Sequence, residues 1–205
     1  GGMLQKNVKP ANLIASDSKP EQCAALERQF QIRTSTDNAV LAAECDVLLL
    51  AVKPQVMQDV CRALPRERKP GQLIISIAAG ISCDSLENWL GAGTAIVRCM
   101  PNTPAAVGRG ITAIVGNAAA SAADLDQAEA LLGAVGQVVR LEDEDQMDAV
   151  TGLSGSGPAY VFHMIECLAA AGEAEGLAPE LAMQLAKATV AGAGALAEAA
   201  EESPA

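Results

Sequence analysis

Four short segments of the chain combine small side chains, turn-forming residues and isolated polar groups, as loops that bind a ligand do. In one of them, Pro101 and Pro104 restrict the backbone around an amide, Asn102, and a hydroxyl, Thr103. Taken singly, three of the four are more typical of ordinary turns, and only together do they predict a pocket. The four segments are 15–19, 52–55, 78–80 and 98–104.

A fifth segment, residues 152–160, is rich in glycine and runs into a predicted helix with Pro158 in its first turn. Backbone N–H groups exposed at such a helix start can hold a carboxylate. A flexible hinge between two domains is a second interpretation of the same residues, and the two are compatible.

The elements that must position these segments follow an α/β pattern up to about Leu141, because short apolar runs alternate with stretches of helical periodicity. In an open parallel sheet, ligands bind beyond the carboxyl ends of the strands. Asp17 follows the first predicted strand, where dinucleotide-binding folds hold the adenosine ribose. Strands are predicted at 12–15, 47–52, 73–77, 95–98, 112–115 and 138–141, and helices at 21–29, 38–43, 55–64, 84–90 and 122–135, with N-caps at Ser82 and Ser121.

After the acidic run 142–145 the strand signals stop, and the remainder predicts helices broken once near Gly176 and Pro179. An apolar stripe with small members then recurs at helical spacing, and two helices alone cannot cover it. We therefore expect this region to pack against a partner chain. The predicted domains are 1–142, which is α/β, and 143–205, which is helical. The stripe consists of Leu181, Leu185, Thr189, Gly192 and Leu196.

Composition narrows the class of function. The formal charge of −11 over 205 residues disfavours nucleic acid as a partner. The six cysteines are scattered, with no C-x-x-C pair and a single His, so neither a metal site nor a disulfide framework is predicted and a cytoplasmic location fits best. No apolar run reaches the length of a membrane span, and the N-terminus does not resemble a secretory signal.

No nucleophile with a partnered base is evident, so no residue is assigned as catalytic. His163 is interpreted as a packing or helix-surface histidine, and Cys99 as an apolar cysteine at the end of a strand. Two formal matches to G-x-G-x-x-[GA], at 108–113 and 192–197, are rejected because the first leads into a strand and the second lies inside a helix.

Four of these segments, in this order, resemble pyrroline-5-carboxylate reductases: AVKPQ, SIAAG, RCMPNTP and DAVTGLSGSGPAY. The resemblance covers nearly the whole chain and implies a Rossmann-like, mostly parallel sheet followed by an all-helical dimerisation domain. It implies transfer of a hydride from NADPH or NADH to the small cyclic imine 1-pyrroline-5-carboxylate, which gives L-proline. It also implies a homodimer through the C-terminal helices, with higher homo-oligomers left open.

The positions that match the family motifs define the site that the resemblance implies. Glu144 corresponds to a position associated with substrate. The other implied substrate positions are Met100, Asn102, Thr103, Ser154, Gly155 and Ser156. The implied cofactor positions are Ser16, Asp17, Asn38, Ala51, Val52, Lys53, Pro54, Ile77, Ala78, Ala79, Gly80, Met100, Pro101 and Asn102.

The chain departs from the family pattern at both ends. It opens in what resembles the middle of the helix that follows the family's glycine-rich turn, and it stops before a Ser/Thr-Gly-Gly-Thr stretch. We expect a chain truncated at both ends, with an incomplete pocket. The alternatives are a non-catalytic dimerisation or regulatory fragment, and a related Rossmann-type imine or hydroxy-acid reductase. The GLSGSGPAY segment argues against the hydroxy-acid group.

Cofactor preference is predicted from the loop at Asp17. A carboxylate accepts a hydrogen bond from a free ribose 2′-hydroxyl and repels a 2′-phosphate, which favours NADH. Lys19 and Ser18 favour the opposite choice, because they offer a positive charge and a donor.

Overall fold

A computed structural model describes residues 2–5, 8–64 and 68–200, which form two compact units divided between Gly155 and Ser156. The first unit is α/β. Its strands are β1 (Ile14–Ser16), β2 (Arg33–Ser35), β3 (Val47–Leu50), β4 (Leu73–Ser76), β5 (Ile96–Met100), β6 (Gly110–Gly116) and β7 (Gly136–Arg140). Its helices are α1 (Gly2–Gln5), α2 (Pro20–Phe30), α3 (Asn38–Glu44), α4 (Pro54–Ala63), α5 (Cys83–Leu90), α6 (Ala122–Leu132) and α7 (Met147–Val150).

The strands form a parallel pair, β1–β2, and a five-stranded sheet in the order β3-β4-β5-β6-β7. Neighbours in the larger sheet are parallel except β5 and β6. The reason lies in the connection, because residues 101–109 contain only a short 3₁₀ turn, Thr103–Val107. A parallel return requires a crossover of a dozen or more residues, usually through a helix.

At the central strands β4 and β5, both faces of the larger sheet are buried. Ile74 and Ile96 face a core shared with α4 and α5, whereas Ile75 and Val97 face one shared with α6. Strands covered on both sides have no polar face, which explains why their sequences lack alternation. The mostly parallel α/β prediction is confirmed.

Local capping chemistry fixes where the helices begin. The Ser82 hydroxyl accepts from the Ser85 N–H, and Ser121 and Asp124 form a reciprocal capping box at α6. Both predicted N-caps are therefore confirmed. The short strand β2 was missed, because three residues of sequence RTS carry no apolar run and are held extended by pairing with β1.

The segment 143–155 packs with the first unit. Met147 is fully buried in a cluster with Met100, Ala113 and Val115. The compact units therefore divide later than the predicted boundary at 142/143, since the acidic run marks the end of the strands but not the end of their packing. A wider π turn, Thr151–Gly155, ends this unit.

The second unit is a pair of helices, α8 (Gly157–Ala174) and α9 (Pro179–Ala199). Gly176 lies between them with φ of +95°, as predicted for a left-handed stop, and Pro179 begins α9. Only small residues are buried here, namely Ala169, Ala182 and Ala186. Large apolar side chains stay exposed on both helices, among them Tyr160, Phe162, Met164, Leu181, Leu185 and Leu196.

Across the described ranges, no helix has both the length and the apolar character required to cross a bilayer.

Candidate active site

The carboxyl ends of β3, β4 and β5 lie side by side. Leu50 pairs with Ser76, Ser76 pairs with Arg98, and the Ile77 N–H donates to the Leu50 carbonyl at 3.2 Å. Parallel strands in this register place the segments that follow them at one edge of the sheet. These segments are 51–54, 77–80 and 101–104.

The loop after β1 is joined to the same edge through α3. The hydroxyl of Ser16 donates to Oδ1 of Asn38, the first residue of α3, at 2.6 Å. Because α3 leads through Cys45 and Asp46 into the start of β3, its first turn lies at the opposite end of that strand, where β3 terminates. The sequence-predicted residues Ser16 and Asn38 therefore belong to the edge that carries the other loops.

Asp17 is held by its own loop. Its Oδ1 accepts from the Lys19 N–H at 2.9 Å, and its own N–H donates to the Ser35 carbonyl at 3.3 Å. The carboxylate is thus fixed at the end of the β1–β2 pair. This arrangement fits the ribose end of a dinucleotide, which carries hydroxyl donors.

The middle of the edge is lined by small residues and accessible backbone. Ala51, Ala79 and Gly80 are exposed, and Gly80 has φ of +72°, a conformation that a side chain disfavours. Lys53 is also exposed, whereas Val52 packs against the core. Accessible backbone at the ends of parallel strands is what a nucleotide requires for close approach, so the residues present fit such a group.

Two of the sequence-predicted residues lie below this surface. Ala78 is 3% exposed and Met100 is 5% exposed, and both belong to hydrophobic clusters. Their side chains support the edge from beneath.

The loop after β5 is closely fixed. Asn102 uses both ends of its side-chain amide: Oδ1 accepts from the Ile111 N–H at 3.0 Å, and Nδ2 donates to the Ser154 carbonyl at 3.2 Å. The exposed Thr103 opens the 3₁₀ turn, and Gly108, with φ of +73°, ends it.

The glycine-rich segment differs from its expected form. Residues 151–155 are helical rather than an open loop, with the Thr151 hydroxyl donating to the Met147 carbonyl and the Ser154 hydroxyl to the Val150 carbonyl. Hydroxyls that bond back to the preceding turn compete with the backbone hydrogen bonds of a helix and often bend it. The two compact units divide directly after this segment, between Gly155 and Ser156, so the hinge interpretation stays a prediction. Ser156 belongs to the second unit, where its carbonyl accepts from the Ala159 N–H.

Glu144 is engaged inside the first unit. Its Oε1 accepts from Arg98 Nη1 at 2.6 Å and from the Cys83 N–H at 2.9 Å, at the first turn of α5. The Arg98 side chain is 7% exposed and the Glu144 side chain 28%. Arg98 was not singled out from the sequence, although a charged residue inside the apolar run IVRCM requires a buried partner.

Two thiols near this site, Cys83 and Cys99, are buried. Burial raises the pKa of Cys99 to about 12. Burial first, and then the charge of Glu144, raises the pKa of Cys83 to about 12 as well. Cys99 is the buried apolar cysteine that the sequence predicts, and His163 is an exposed residue on α8, consistent with a helix-surface histidine.

Neither formal glycine fingerprint is a nucleotide-binding turn. Residues 108–113 lead into β6, and residues 192–197 lie inside α9. Gly2–Gln5 are helical, in agreement with the helix expected there, and Gly1 falls outside the described residues. Within the described ranges, no group of three or more His, Cys, Asp or Glu side chains is placed to hold a metal ion.

Comparison with known families gives two matches. Residues 144–205 match a family model described as pyrroline-5-carboxylate reductase dimerisation, and residues 1–80 match one described as NADP oxidoreductase, coenzyme F420-dependent. The first match begins close to the predicted boundary at 142/143.

Individual proteins with the same name match over the full chain. The chain is 48% identical to a pyrroline-5-carboxylate reductase of Pseudomonas aeruginosa, over 100% of its own length and 75% of that protein. A structure of the Coxiella burnetii pyrroline-5-carboxylate reductase is similar with a TM-score of 0.93, at 35% identity, covering 99% of this chain and 76% of that one. A Plasmodium falciparum pyrroline carboxylate reductase, solved with NADP bound, gives a TM-score of 0.86 at 29% identity, covering 99% and 74%.

Proposed function

Because the chain belongs to the pyrroline-5-carboxylate reductase family, we propose that its protein transfers a hydride from NAD(P)H to 1-pyrroline-5-carboxylate and releases L-proline. The observation that carries this proposal is the meeting of the 51–54, 77–80 and 101–104 segments at one edge of the sheet, with Ser16 and Asn38 joined to it.

The residues of this edge have distinct tasks in the proposal. Asp17 and the Ser16–Asn38 pair hold the ribose end of the nucleotide, and the backbone of Lys53 and Gly80 lies along its middle. Reduced nicotinamide, when bound, supplies the hydride. The Met100–Thr103 segment orients the imine beside it, and orientation with exclusion of water can provide most of the acceleration.

The proposal treats Glu144 as a fixed carboxylate at the substrate end. Arg98 and the Cys83 N–H hold one of its oxygens, so its position is set before any ligand arrives. A preset charge costs little reorganisation when it acts on a substrate. Ser154 and Gly155 contribute through the π turn.

The proposal includes a homodimer formed through α8 and α9, with higher homo-oligomers open. Its support is the apolar surface that these helices leave exposed, including Phe162, Leu181 and Leu185, together with the dimerisation family matched at 144–205. A cytoplasmic location is also proposed, on the ground that all six thiols are unpaired.

The test is a steady-state assay on the protein at its full natural length. We expect 1-pyrroline-5-carboxylate to accelerate the oxidation of NADPH or NADH, with L-proline as the product. Oxidation only with a keto acid would indicate a hydroxy-acid reductase instead. No nucleotide binding at millimolar concentration would indicate a dimerisation module without catalysis.

A matched pair of variants locates the nucleotide. Ala79→Leu places a larger side chain on the proposed edge, and it should raise the Kd for NADPH at least about tenfold. Ala119→Leu makes the same change at an exposed alanine near the other end of β5, where the Asn117 N–H donates to the Ile96 carbonyl. That control should bind NADPH as the parent does.

A further inference from the structure

We propose that Asn102 is a positioning residue that holds the π turn, residues 151–155, against the loop that follows β5. This inference rests on the proposed function for its effect on catalysis. It assigns Asn102 an indirect role in place of direct contact with substrate or cofactor.

The side-chain amide of Asn102 joins three segments that are distant in sequence. Its Oδ1 accepts from Ile111 at the start of β6, and its Nδ2 donates to the carbonyl of Ser154 in the π turn. The backbone carbonyl of Asn102 also accepts from the Ala105 N–H, which starts the 3₁₀ turn. One residue therefore fixes the relative positions of the loop, the strand and the π turn.

The Asn102 amide satisfies both side-chain bonds, and a carboxylate cannot. Asn presents a donor and an acceptor on one planar group, whereas an Asp carboxylate accepts only. In Asn102→Asp, the bond from Ile111 can persist, but an anionic oxygen would face the carbonyl of Ser154. The bond to the π turn is then replaced by a repulsion.

Close packing on both sides transmits any shift of the loop. A Cβ added at Gly155 would lie 3.4 Å from Sδ of Met100, and one added at Gly110 would lie 2.9 Å from Cα of Ala105. Interiors packed this closely respond to small displacements. A shift of the loop on loss of the Asn102 bonds would therefore also displace the groups packed against it.

The π turn is also tied to a residue outside its own helix. Its hydroxyls, Thr151 and Ser154, bond back to the carbonyls of Met147 and Val150. The Ser154 carbonyl is bonded instead to Asn102, a residue outside the helix. Single π turns occur often at functional sites, and this one ends beside Met100.

The experiment compares Asn102→Asp with the parent at full natural length. We expect kcat/KM for 1-pyrroline-5-carboxylate to fall about a hundredfold, as a displacement of about 1 Å can produce, with a raised KM. The Kd for NADPH should change less than about threefold, which is well under the 1.4 kcal/mol that a tenfold change represents. Amide hydrogen exchange should accelerate at 151–155.

Asn117→Asp is the matched control. The Asn117 amide also accepts from a strand N–H, that of Ile96 at 3.0 Å, and donates to a loop carbonyl, that of Thr94 at 2.9 Å. It lies at the opposite end of β5. This variant should lower thermal stability while leaving KM and the exchange of 151–155 unchanged.

Three results would overturn the inference. The first is an Asn102→Asp variant with parental KM, kcat and exchange. The second is an equal loss of NADPH binding and of turnover, which would make Asn102 a direct cofactor ligand. The third is an Asn117→Asp variant with the same kinetic defect. Asn102→Ala, which adds no charge, replaces the Asp variant if that one does not fold.

Failure of the proposed function gives a different pattern. The parent would then show no turnover of 1-pyrroline-5-carboxylate, while amide exchange at 151–155 would still report whether Asn102 holds the π turn.

Discussion

Arg98 Nη1 lies 2.6 Å from Glu144 Oε1, and this pair ties the centre of the sheet to the segment that precedes the π turn. The same carboxylate oxygen accepts from the Cys83 N–H, where the dipole of α5 favours a negative charge. Strand β5, the start of α5 and the segment before the π turn are therefore joined by one carboxylate.

Removing that carboxylate should destabilise the protein. Glu144→Ala leaves the guanidinium of Arg98 buried without its partner, and we expect a loss of about 3 kcal/mol in the free energy of unfolding. Glu144→Gln keeps an acceptor and should lose about 1 kcal/mol. Urea denaturation measures both.

Glu142→Ala is the control, because that side chain is exposed two residues away. It should change the free energy of unfolding by no more than about 0.5 kcal/mol. Equal effects of Glu142→Ala and Glu144→Ala would mean that the buried pair contributes nothing specific.

Neutralising Asp17 should change cofactor preference. Asp17→Asn can retain acceptance from the Lys19 N–H while it removes the charge that repels a 2′-phosphate. We expect the ratio of kcat/KM for NADPH to that for NADH to rise about tenfold, equivalent to about 1.4 kcal/mol.

Asp143→Asn is its control, since the Oδ1 of Asp143 accepts from the Asp145 N–H at 2.9 Å in the same local geometry. That variant should keep the parental ratio. An unchanged ratio in Asp17→Asn would remove this loop from the account of cofactor choice.

Alkaline pH should lower the free energy of unfolding, because it ionises buried thiols. Burial raises the pKa of Cys99 from 9.0, its ordinary value in an unfolded chain, to about 12 in the folded protein. The stabilisation from the protonated thiol is therefore complete below a pH of about 9 and is lost as the pH rises toward about 12. Between roughly pH 9 and pH 10 this thiol should account for a loss of about 1 kcal/mol.

Cys99→Ser isolates that contribution, because a hydroxyl does not titrate in this range and can donate to the Val97 carbonyl as Sγ does. The stability of this variant should fall less steeply with pH than that of the parent. Parallel curves for the two proteins would show that Cys99 is not protected from ionisation.

A charge on the exposed stripe of α9 should disrupt association. Leu185 is 48% exposed in the isolated chain, and Leu185→Glu would place a carboxylate in the proposed dimer interface. We expect the dimer Kd to rise at least a hundredfold, which corresponds to about 3 kcal/mol. Sedimentation velocity measures the change.

Lys187→Glu adds a carboxylate elsewhere on the same helix and should leave the dimer intact. If Leu185→Glu remained dimeric under the same conditions, the stripe would not be the interface.

The sequence predicted the strands and helix starts well where the residues of one short segment are enough to define them. Buried strands such as β4 and β5 show as short, mostly apolar runs without alternation, and Ser82 and Ser121 show as caps. The antiparallel direction of β6 could also have been predicted, because residues 101–109 contain no helix long enough for a parallel return.

Other features depend on contacts that single residues do not reveal. The β2 strand exists because β1 pairs with it, and the helical segment 151–155 carries side-chain bonds of Thr151, Ser154 and Asn102 that only the fold reveals. Glu144 was singled out only through the family resemblance. Its partner Arg98 could be noticed in the sequence, because it is a charged residue inside an apolar strand. The fold is needed to identify the carboxylate that pairs with it.

The central claim is hydride delivery to a cyclic imine at the edge formed by β3, β4 and β5. Its most direct test uses the protein at full natural length with NADPH deuterated at the transferable position of the nicotinamide ring. Mass spectrometry of the product should find one deuterium in L-proline, at the ring carbon that was double-bonded to nitrogen. L-Proline formed without deuterium, or no L-proline formed while nucleotide binding persists, would contradict the account.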